Sequence, residues 1–201
     1  MSSGNFAGLR PDLAIIARHV AQGAHVLDIG CGDGGLMAAL RDAKNVDARG
    51  IELDRTNVAD AVAKGLSVIL GDADSDLTEY PADSFDYAIL SQTLQTTRAP
   101  DKVLEEMLRI APRAFVSFPN FAYWRVRLSL LWGGRMPITR HLPLSWYSTP
   151  NIHQLTIDDF RAFCHDQGLH IERAWFLNGD RQTTAAAANF RAEQAIFLVR
   201  R

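Results

Sequence analysis

The sequence predicts a doubly wound α/β fold, a mostly parallel sheet with helices on both faces, closed at its C-terminal end by an antiparallel hairpin. Three observations predict it. A short apolar run ends in Asp28 and opens into a turn with glycines at Gly30, Gly32 and Gly34. Apolar strand-like runs then alternate with helical patterns as far as Pro119. Finally, two strand-like runs, 169–177 and 193–199, follow one another with no helical pattern between them.

Each element has a local cause. Leu13, Ile16 and Val20 recur at helical spacing after Pro11 and Asp12, which predicts a helix over 11–21. Residues 25–29 form the first, buried strand, and Leu36, Ala39 and Leu40 mark the helix after the glycines. The second strand covers 48–52, and Asp54 caps a helix carrying Val58, Ala61 and Val62. A third strand, Ser67 to Leu70, runs into the acidic loop Gly71-Asp72-Ala73-Asp74. Residues 85–90 are the fourth strand, and helix 99–110 presents Val103, Met107 and Ile110 before Pro112 ends it. Ala114 to Phe118 is the fifth strand. The alternation then breaks over 121–155, rich in Trp, Arg and Pro, and resumes with a helix over 156–167 capped by Thr156. The whole chain, 1–201, reads as one domain with an insertion at about 121–155.

Composition narrows the function classes. The chain has 201 residues, 47% apolar and 22% charged, with a formal net charge of −2. Such a balance gives no electrostatic reason for a nucleic-acid or anionic-membrane partner. No apolar run approaches the roughly 20 residues that span a bilayer. The first residues lack an apolar export core, so the expected location is cytoplasmic. Cys31 and Cys164 are too few for a disulfide framework and are expected as reduced thiols. The six histidines show no metal-ligand spacing.

The glycine turn carries the ligand chemistry. Without β-carbons its backbone can take positive φ and let a ligand approach closely. About two dozen residues after Asp28, Glu52 ends the second apolar run, the arrangement by which such folds grip a nucleoside. Alone, Gly30-Cys31-Gly32-Asp33-Gly34-Gly35 also fits the G-x-G-x-x-G of dinucleotide enzymes. Asp28 and the acidic loop at Asp72 separate the two readings: the first carboxylate can face a ligand ammonium, and the second an adenine amino group. Asp54 is expected to be a helix cap, Asp74 and Asp76 to serve loop solvation, and Asp33 stays open between turn and ligand.

These residues resemble the first three motifs of the class I S-adenosylmethionine-dependent methyltransferase fold, a Rossmann-like α/β fold with a mostly parallel seven-stranded sheet ending in an antiparallel hairpin. The resemblance implies S-adenosylmethionine (SAM) or S-adenosylhomocysteine (SAH) as cofactor. By residue, it places Gly30 and Gly32 against the methionine moiety, Glu52 on the ribose hydroxyls and Asp72 at the adenine. Asp28, Gly34, Leu53, Ala73 and Gln92 complete the expected cofactor-binding set.

A narrower resemblance lies in the odd segment. Phe118-Pro-Asn-Phe-Ala-Tyr-Trp-Arg-Val-Arg-Leu, Gly133-Gly-Arg-Met-Pro and Trp146-Tyr-Ser-Thr-Pro-Asn-Ile-His, with Ser91-Gln-Thr-Leu-Gln, are similar to the MetW family of methionine biosynthesis proteins. That resemblance implies a partner, a homoserine O-acyltransferase of the MetX type, which the protein would support as an accessory subunit. Aromatic side chains interleaved with Arg125, Arg127 and Arg135 suit a protein contact across 121–150. The competing reading packs these aromatics under the sheet edge with the arginines solvated. An independent small-molecule methyltransferase is the alternative function. Tyr147 and His153 are then the catalytic candidates beside Gln92, Gln95, Asn120 and Tyr123. The residues after the fourth strand lack the Asn-Pro-Pro-Tyr pattern of amide-nitrogen methylation. No hydride-transfer dyad supports an oxidoreductase.

Overall fold

A computed structural model describes Phe6, residues 8–139 and residues 142–201. Its elements run α1 (Pro11–His19), β1 (His25–Ile29), α2 (Gly35–Lys44), β2 (Asp47–Glu52), α3 (Arg55–Ala63), β3 (Ser67–Leu70), β4 (Tyr87–Ser91), α4 (Pro100–Ile110) and β5 (Ala114–Pro119). They continue with α5 (Trp124–Gly133), α6 (Ile157–Asp166), β6 (His170–Asn178), β7 (Arg181–Thr183), α7 (Ala188–Arg191) and β8 (Gln194–Arg200). One sheet holds all the strands in the order β3-β2-β1-β4-β5-β8-β6-β7. The first five strands pair in parallel, and β8 enters antiparallel between β5 and β6.

The sheet has eight strands where seven were expected. The connection between β6 and β8 folds back on itself, and Arg181–Thr183 pairs with Phe176–Asn178 as a short outer strand. Two boundaries also move. The fourth strand starts at Tyr87 rather than 85, because Asp86 turns aside to accept the His25 amide at 2.8 Å. The segment after Pro119 contains a helix, α5, that the Trp- and Arg-rich composition hides: it buries only Val126 and so shows no amphipathic stripe.

The caps follow the sequence logic. Asp54 accepts the Thr56 and Asn57 amides, and Thr156 with Asp159 forms a reciprocal capping box on α6. Strand alternation divides the core into two layers. Leu27, Ile29, Leu90, Val116 and Phe118 face α4 and α6, while Val26, Ile89 and Phe115 face α1 and α2. The chain turns outward from β1 to β3 and then returns to β4 on the other side of β1. That reversal opens a crevice beyond the carboxyl ends of β1 and β4, where ligands bind in such sheets.

Candidate functional site

The glycine turn lies on one wall of that crevice. Gly30, Gly32 and Gly34 all take positive φ, at 70°, 57° and 76°. Their reasons differ. A β-carbon on Gly30 would lie 2.5 Å from Thr93 Oγ1, and one on Gly34 would strike Leu66. A β-carbon on Gly32 would meet nothing within 4 Å, so the space in front of this glycine is open. The turn is fastened to β2 by the Gly30 amide, which donates to the Ile51 carbonyl at 2.8 Å.

Glu52 reaches back across the turn. Its Oε2 accepts the Gly32 amide at 2.8 Å and its Oε1 accepts the Asp54 amide at 2.9 Å. A carboxylate offers roughly four lone-pair sites, so each oxygen keeps one acceptor site for a hydroxyl. Glu52 is thereby held rigid at the strand end, with the two remaining sites suited to a vicinal diol. Leu53 beside it is 68% exposed, an apolar side chain left on the crevice rim. In the third loop Asp72 Oδ1 accepts the Asp74 amide at 2.9 Å, while Asp76 accepts the Asp72 amide at 2.9 Å. Ala73 packs against the core beneath that loop.

Two acids expected to serve solvation do structural work instead. Asp74 Oδ1 accepts the Arg98 and Ala99 amides at 2.9 and 3.1 Å, so it ties down the turn that leads into α4. Asp76 closes its own loop through Ser75 and Asp72. Both loops needed acceptors for amides that neither helix nor strand satisfies. Asp33, left open from sequence, accepts the Gly35 amide and pairs with Lys64 at 2.6 Å, which holds its carboxyl below the usual carboxylate range. It sits at the start of α2, where a pyrophosphate would otherwise bind.

Asp28 is the polar exception in a buried strand, only 3% exposed. Burial pushes its carboxyl up to about 7, partly opposed by Arg10 and reinforced by Glu52. Cys31, within the turn, is likewise driven up by burial, with Asp28 and Glu52 adding to the effect, so it stays a thiol.

A polar cluster that sequence reasoning missed lies beside Asp28. Asp28, Ser91 and Ser117 occupy the α1-facing side of β1, β4 and β5 near their carboxyl ends. Asp12, 1% exposed at the start of α1, accepts from Ser91 Oγ at 2.7 Å and Ser117 Oγ at 3.1 Å. Arg10 donates to both Asp12 oxygens, at 3.3 and 3.1 Å, and to Ser91 at 2.8 Å. The available signal was a polar residue on the same face of three neighbouring strands.

Next to this cluster a pocket of about 420 Å³ opens under the segment 136–150. Arg10, Gln92 and Gln95 floor it, and Phe121, Leu142 and Trp146 stand among its apolar walls. Gln92 follows β4 with a φ of 58°, and its amide donates to the Ser117 carbonyl at 2.9 Å. The proposed catalytic pair does not converge here. Tyr147 is 77% exposed and packs edge-on against Trp146. His153 lines a different, apolar cavity between α4 and α6. Asn120 is structural: it donates to the Asn189 and Ala192 carbonyls and accepts the Ala122 and Ile157 amides.

The segment 121–152 divides in two. Ala122, Tyr123 and Val126 are buried, and Arg127 donates to the Ala122 carbonyl at 2.6 Å. Beyond them Leu131, Trp132, Ile138 and Trp146 are each two-thirds or more exposed. Packing under the sheet accounts for the first group and not for the second. Among the described residues no helix is long and apolar enough to cross a membrane, and no cluster of His, Cys, Asp and Glu could hold a metal.

Known proteins sharpen this picture. A family profile described as methionine biosynthesis protein MetW matches residues 10–199. The bifunctional methionine biosynthesis protein MetXA/MetW of Rhodopirellula baltica is 34% identical over 182 residues, 86% of this chain. The alignment spans only 29% of that longer protein. Among solved structures, a putative methyltransferase in complex with the Trm112 methyltransferase activator of Haloferax volcanii superposes with a TM-score of 0.68 at 19% identity, covering 94% of this chain and 88% of that one. A SAM-dependent methyltransferase of Thermotoga maritima, a possible histamine N-methyltransferase, gives 0.67 at 14% identity, covering 94% and 87%. At such identities the likeness speaks to the fold, which is that of class I SAM-dependent methyltransferases.

Proposed function

Because the chain belongs to the MetW family of methionine biosynthesis proteins, with a methyltransferase fold, we propose that it binds SAM or SAH and acts as an accessory subunit of a homoserine O-acyltransferase of the MetX type. The observation that carries the ligand half is the glycine-lined, acidic crevice. Gly32 leaves space, Glu52 keeps two acceptor sites, and Asp28 stands ready to meet a cation. Gly30 and Gly34 shape the turn, and Leu53, Asp72, Ala73 and Gln92 complete the set around the nucleoside and methionine ends. An adenosyl sulfonium suits three nearby carboxylates, Asp28, Asp33 and Glu52. The pyrophosphate of a dinucleotide would meet the Asp33 carboxylate at the start of α2. The bound compound would supply a sulfonium methyl; the residues named here bind and orient it.

The partner half is supported by the relative whose name joins MetXA to MetW in one protein. The exposed apolar set Leu131, Trp132, Ile138 and Trp146 supports residues 121–150 as the contact, because such side chains on a free surface mark interaction sites. Arg125, stacked 5.2 Å over Trp124, adds a residue type common in binding hot spots.

Calorimetry with SAH, SAM and NAD tests the first half: SAM and SAH bind and NAD does not. Acyl transfer by the MetX-type enzyme, measured with and without this protein, tests the second. Stimulation is expected, with loss of both stimulation and co-purification for Leu131→Asp combined with Trp132→Ser. An unstimulated acyltransferase that does not co-purify would end the accessory reading. The pocket under 136–150 favours a second reading, methyl transfer to a small acceptor, which predicts that labelled SAM is turned over by the purified protein alone.

A further inference from the structure

The sheet has two edges, and their side chains differ in kind. At one edge β7 is short and polar, Arg181-Gln182-Thr183. Native sheets blunt their edges in this way, with short strands and charged side chains. At the other edge β3 reads Ser67-Val68-Ile69-Leu70, with no charge, proline or bulge. Ile69 is 52% exposed and Leu70 47%. Helix α3, which packs over β3, buries only Ala61 and leaves Ala59, Val62 and Ala63 exposed. An apolar patch of this kind on a free surface marks an interaction site. None of its residues belongs to the ligand set or to the segment 121–150.

The backbone dictates how this edge can be paired. The Gly71 amide donates to the Glu52 carbonyl at 2.9 Å, so Gly71 bonds inward to β2. Alternation then turns the N–H and C=O groups of Leu70 and Val68 outward, where the sheet ends. A second β3 laid antiparallel, with Val68 opposite Leu70 of the other copy, satisfies all of them, each pair exchanging both of its bonds. The two-fold axis then passes between the Ile69 residues, which face one another as a non-hydrogen-bonded pair. The charges agree with that register. A groove on the Ile69 face is lined by Arg49, Ser67, Asp76, Glu79 and Tyr80. Arg49 is in register with Ser67, at the start of β3, and Asp76 Oδ2 lies against Gly71, just past its end. The antiparallel strand sets Ser67 opposite Gly71 of the other copy, which brings each Arg49 beside an Asp76. A parallel strand would set Arg49 beside Arg49 and Asp76 beside Asp76.

We propose that the occupant of this edge is a second copy of the chain: two molecules pair antiparallel through β3, with the two-fold axis at Ile69 and Arg49 of each copy beside Asp76 of the other. A second copy is selected because one surface supplies both halves of every match, the outward backbone groups as well as the opposed charges. Ile69 packs against Ile69 on one face of the joined sheet. On the other face Val68 packs with Ala61 and Leu66, and alternation puts Leu70 on that side too. The contact is short, so the dimer forms and dissociates with concentration. It uses none of the residues assigned to the ligand or to the acyltransferase, and it stands whether or not those readings hold.

The test is sedimentation velocity on the full chain across a hundredfold range of concentration, with oxidative cross-linking to read the register. A reversible monomer–dimer equilibrium is expected. Ile69→Lys should weaken it at least tenfold, because an edge lysine opposes pairing, and should leave the urea midpoint of the dilute protein unchanged. Arg49→Glu, which sets like charges together, should weaken it as well. Under a mild oxidant Ile69→Cys should give a disulfide-linked dimer, since opposed Cα atoms in a non-hydrogen-bonded pair lie roughly 4.5 Å apart. Ser67→Cys, opposite Gly71 of the other copy, should not. Cys31 and Cys164 are buried and stay out of this reaction. A protein monomeric throughout the range, a dimer indifferent to both Ile69→Lys and Arg49→Glu, or equal cross-linking at 67 and 69 overturns the proposal. So does a monomer whose co-purification with the acyltransferase is lost in Ile69→Lys, because the edge would then belong to that partner. SAH binding and stimulation of acyl transfer are measured separately, so their failure and the failure of this inference are told apart.

Discussion

Replacing Asp28 by Asn should stabilise the protein and do so more at high pH. The carboxyl rises from an ordinary value of 3.8 to about 7, chiefly because burial disfavours its charge. A shift of roughly 3 units at 1.36 kcal/mol each makes the ionised group cost about 4 kcal/mol of stability above pH 7. The sign follows from proton binding. Between pH 4 and 7 the folded chain holds a proton that the unfolded chain has released, so stability falls as pH rises through that window and is level above it. From pH 5 to pH 8 the wild type should therefore lose about 3 kcal/mol through this group, being 2 units of titration up to pH 7. An asparagine does not titrate. Urea unfolding of both proteins at pH 5 and pH 8 measures the effect, with the advantage of Asp28→Asn growing by about 3 kcal/mol at the higher pH. An advantage that is the same at both values refutes the buried-carboxyl argument. The group's use is the other half of the prediction: SAM affinity in the wild type should rise between pH 6 and 8 as Asp28 ionises, and in Asp28→Asn it should be weaker and nearly flat.

Four further substitutions probe the same region. Glu52→Ala removes the acceptor for the Gly32 and Asp54 amides and for the ribose, so SAH should bind at least tenfold more weakly by calorimetry, a charged hydrogen bond being worth roughly 1.5–3 kcal/mol. Gly30→Ala and Gly32→Ala both place a side chain at positive φ, at a cost of about 1–2 kcal/mol. Only Gly30→Ala also collides, with Thr93, so its thermal midpoint should fall further, whereas Gly32→Ala should chiefly abolish SAH binding. Asp12→Ala strands Ser91, Ser117 and Arg10 together, and urea unfolding should show a loss of about 2–4 kcal/mol.

The parallel half of the fold was legible because each strand ended in a chemical marker: the glycines after β1, Glu52 after β2, the acidic loop after β3. β1 and β3 match their expected residues, 25–29 and 67–70. Caps at Asp54 and Thr156 were equally readable, since a capping side chain acts within three residues of itself. What stayed hidden depends on distance along the chain. Asp74 fastens the turn into a helix that begins 26 positions later, at Pro100, and Asp12 meets Ser91 and Ser117 across strands. Helix α5 was invisible because its buried face is a single valine. The pairing of Tyr147 with His153 looked reasonable on a line of residues, yet one faces solvent and the other a separate cavity.

The position of β8 has a consequence for biogenesis. Gln194–Arg200 is made after every other strand of this sheet, yet it is wedged in the interior between β5 and β6. Until it arrives, β5 presents a naked apolar border, with Val116 and Phe118 ready to template a foreign strand. Completion of this sheet therefore waits for Gln194–Arg200. A nascent chain halted before Gln194 is the species that a holdase chaperone would have most reason to cover.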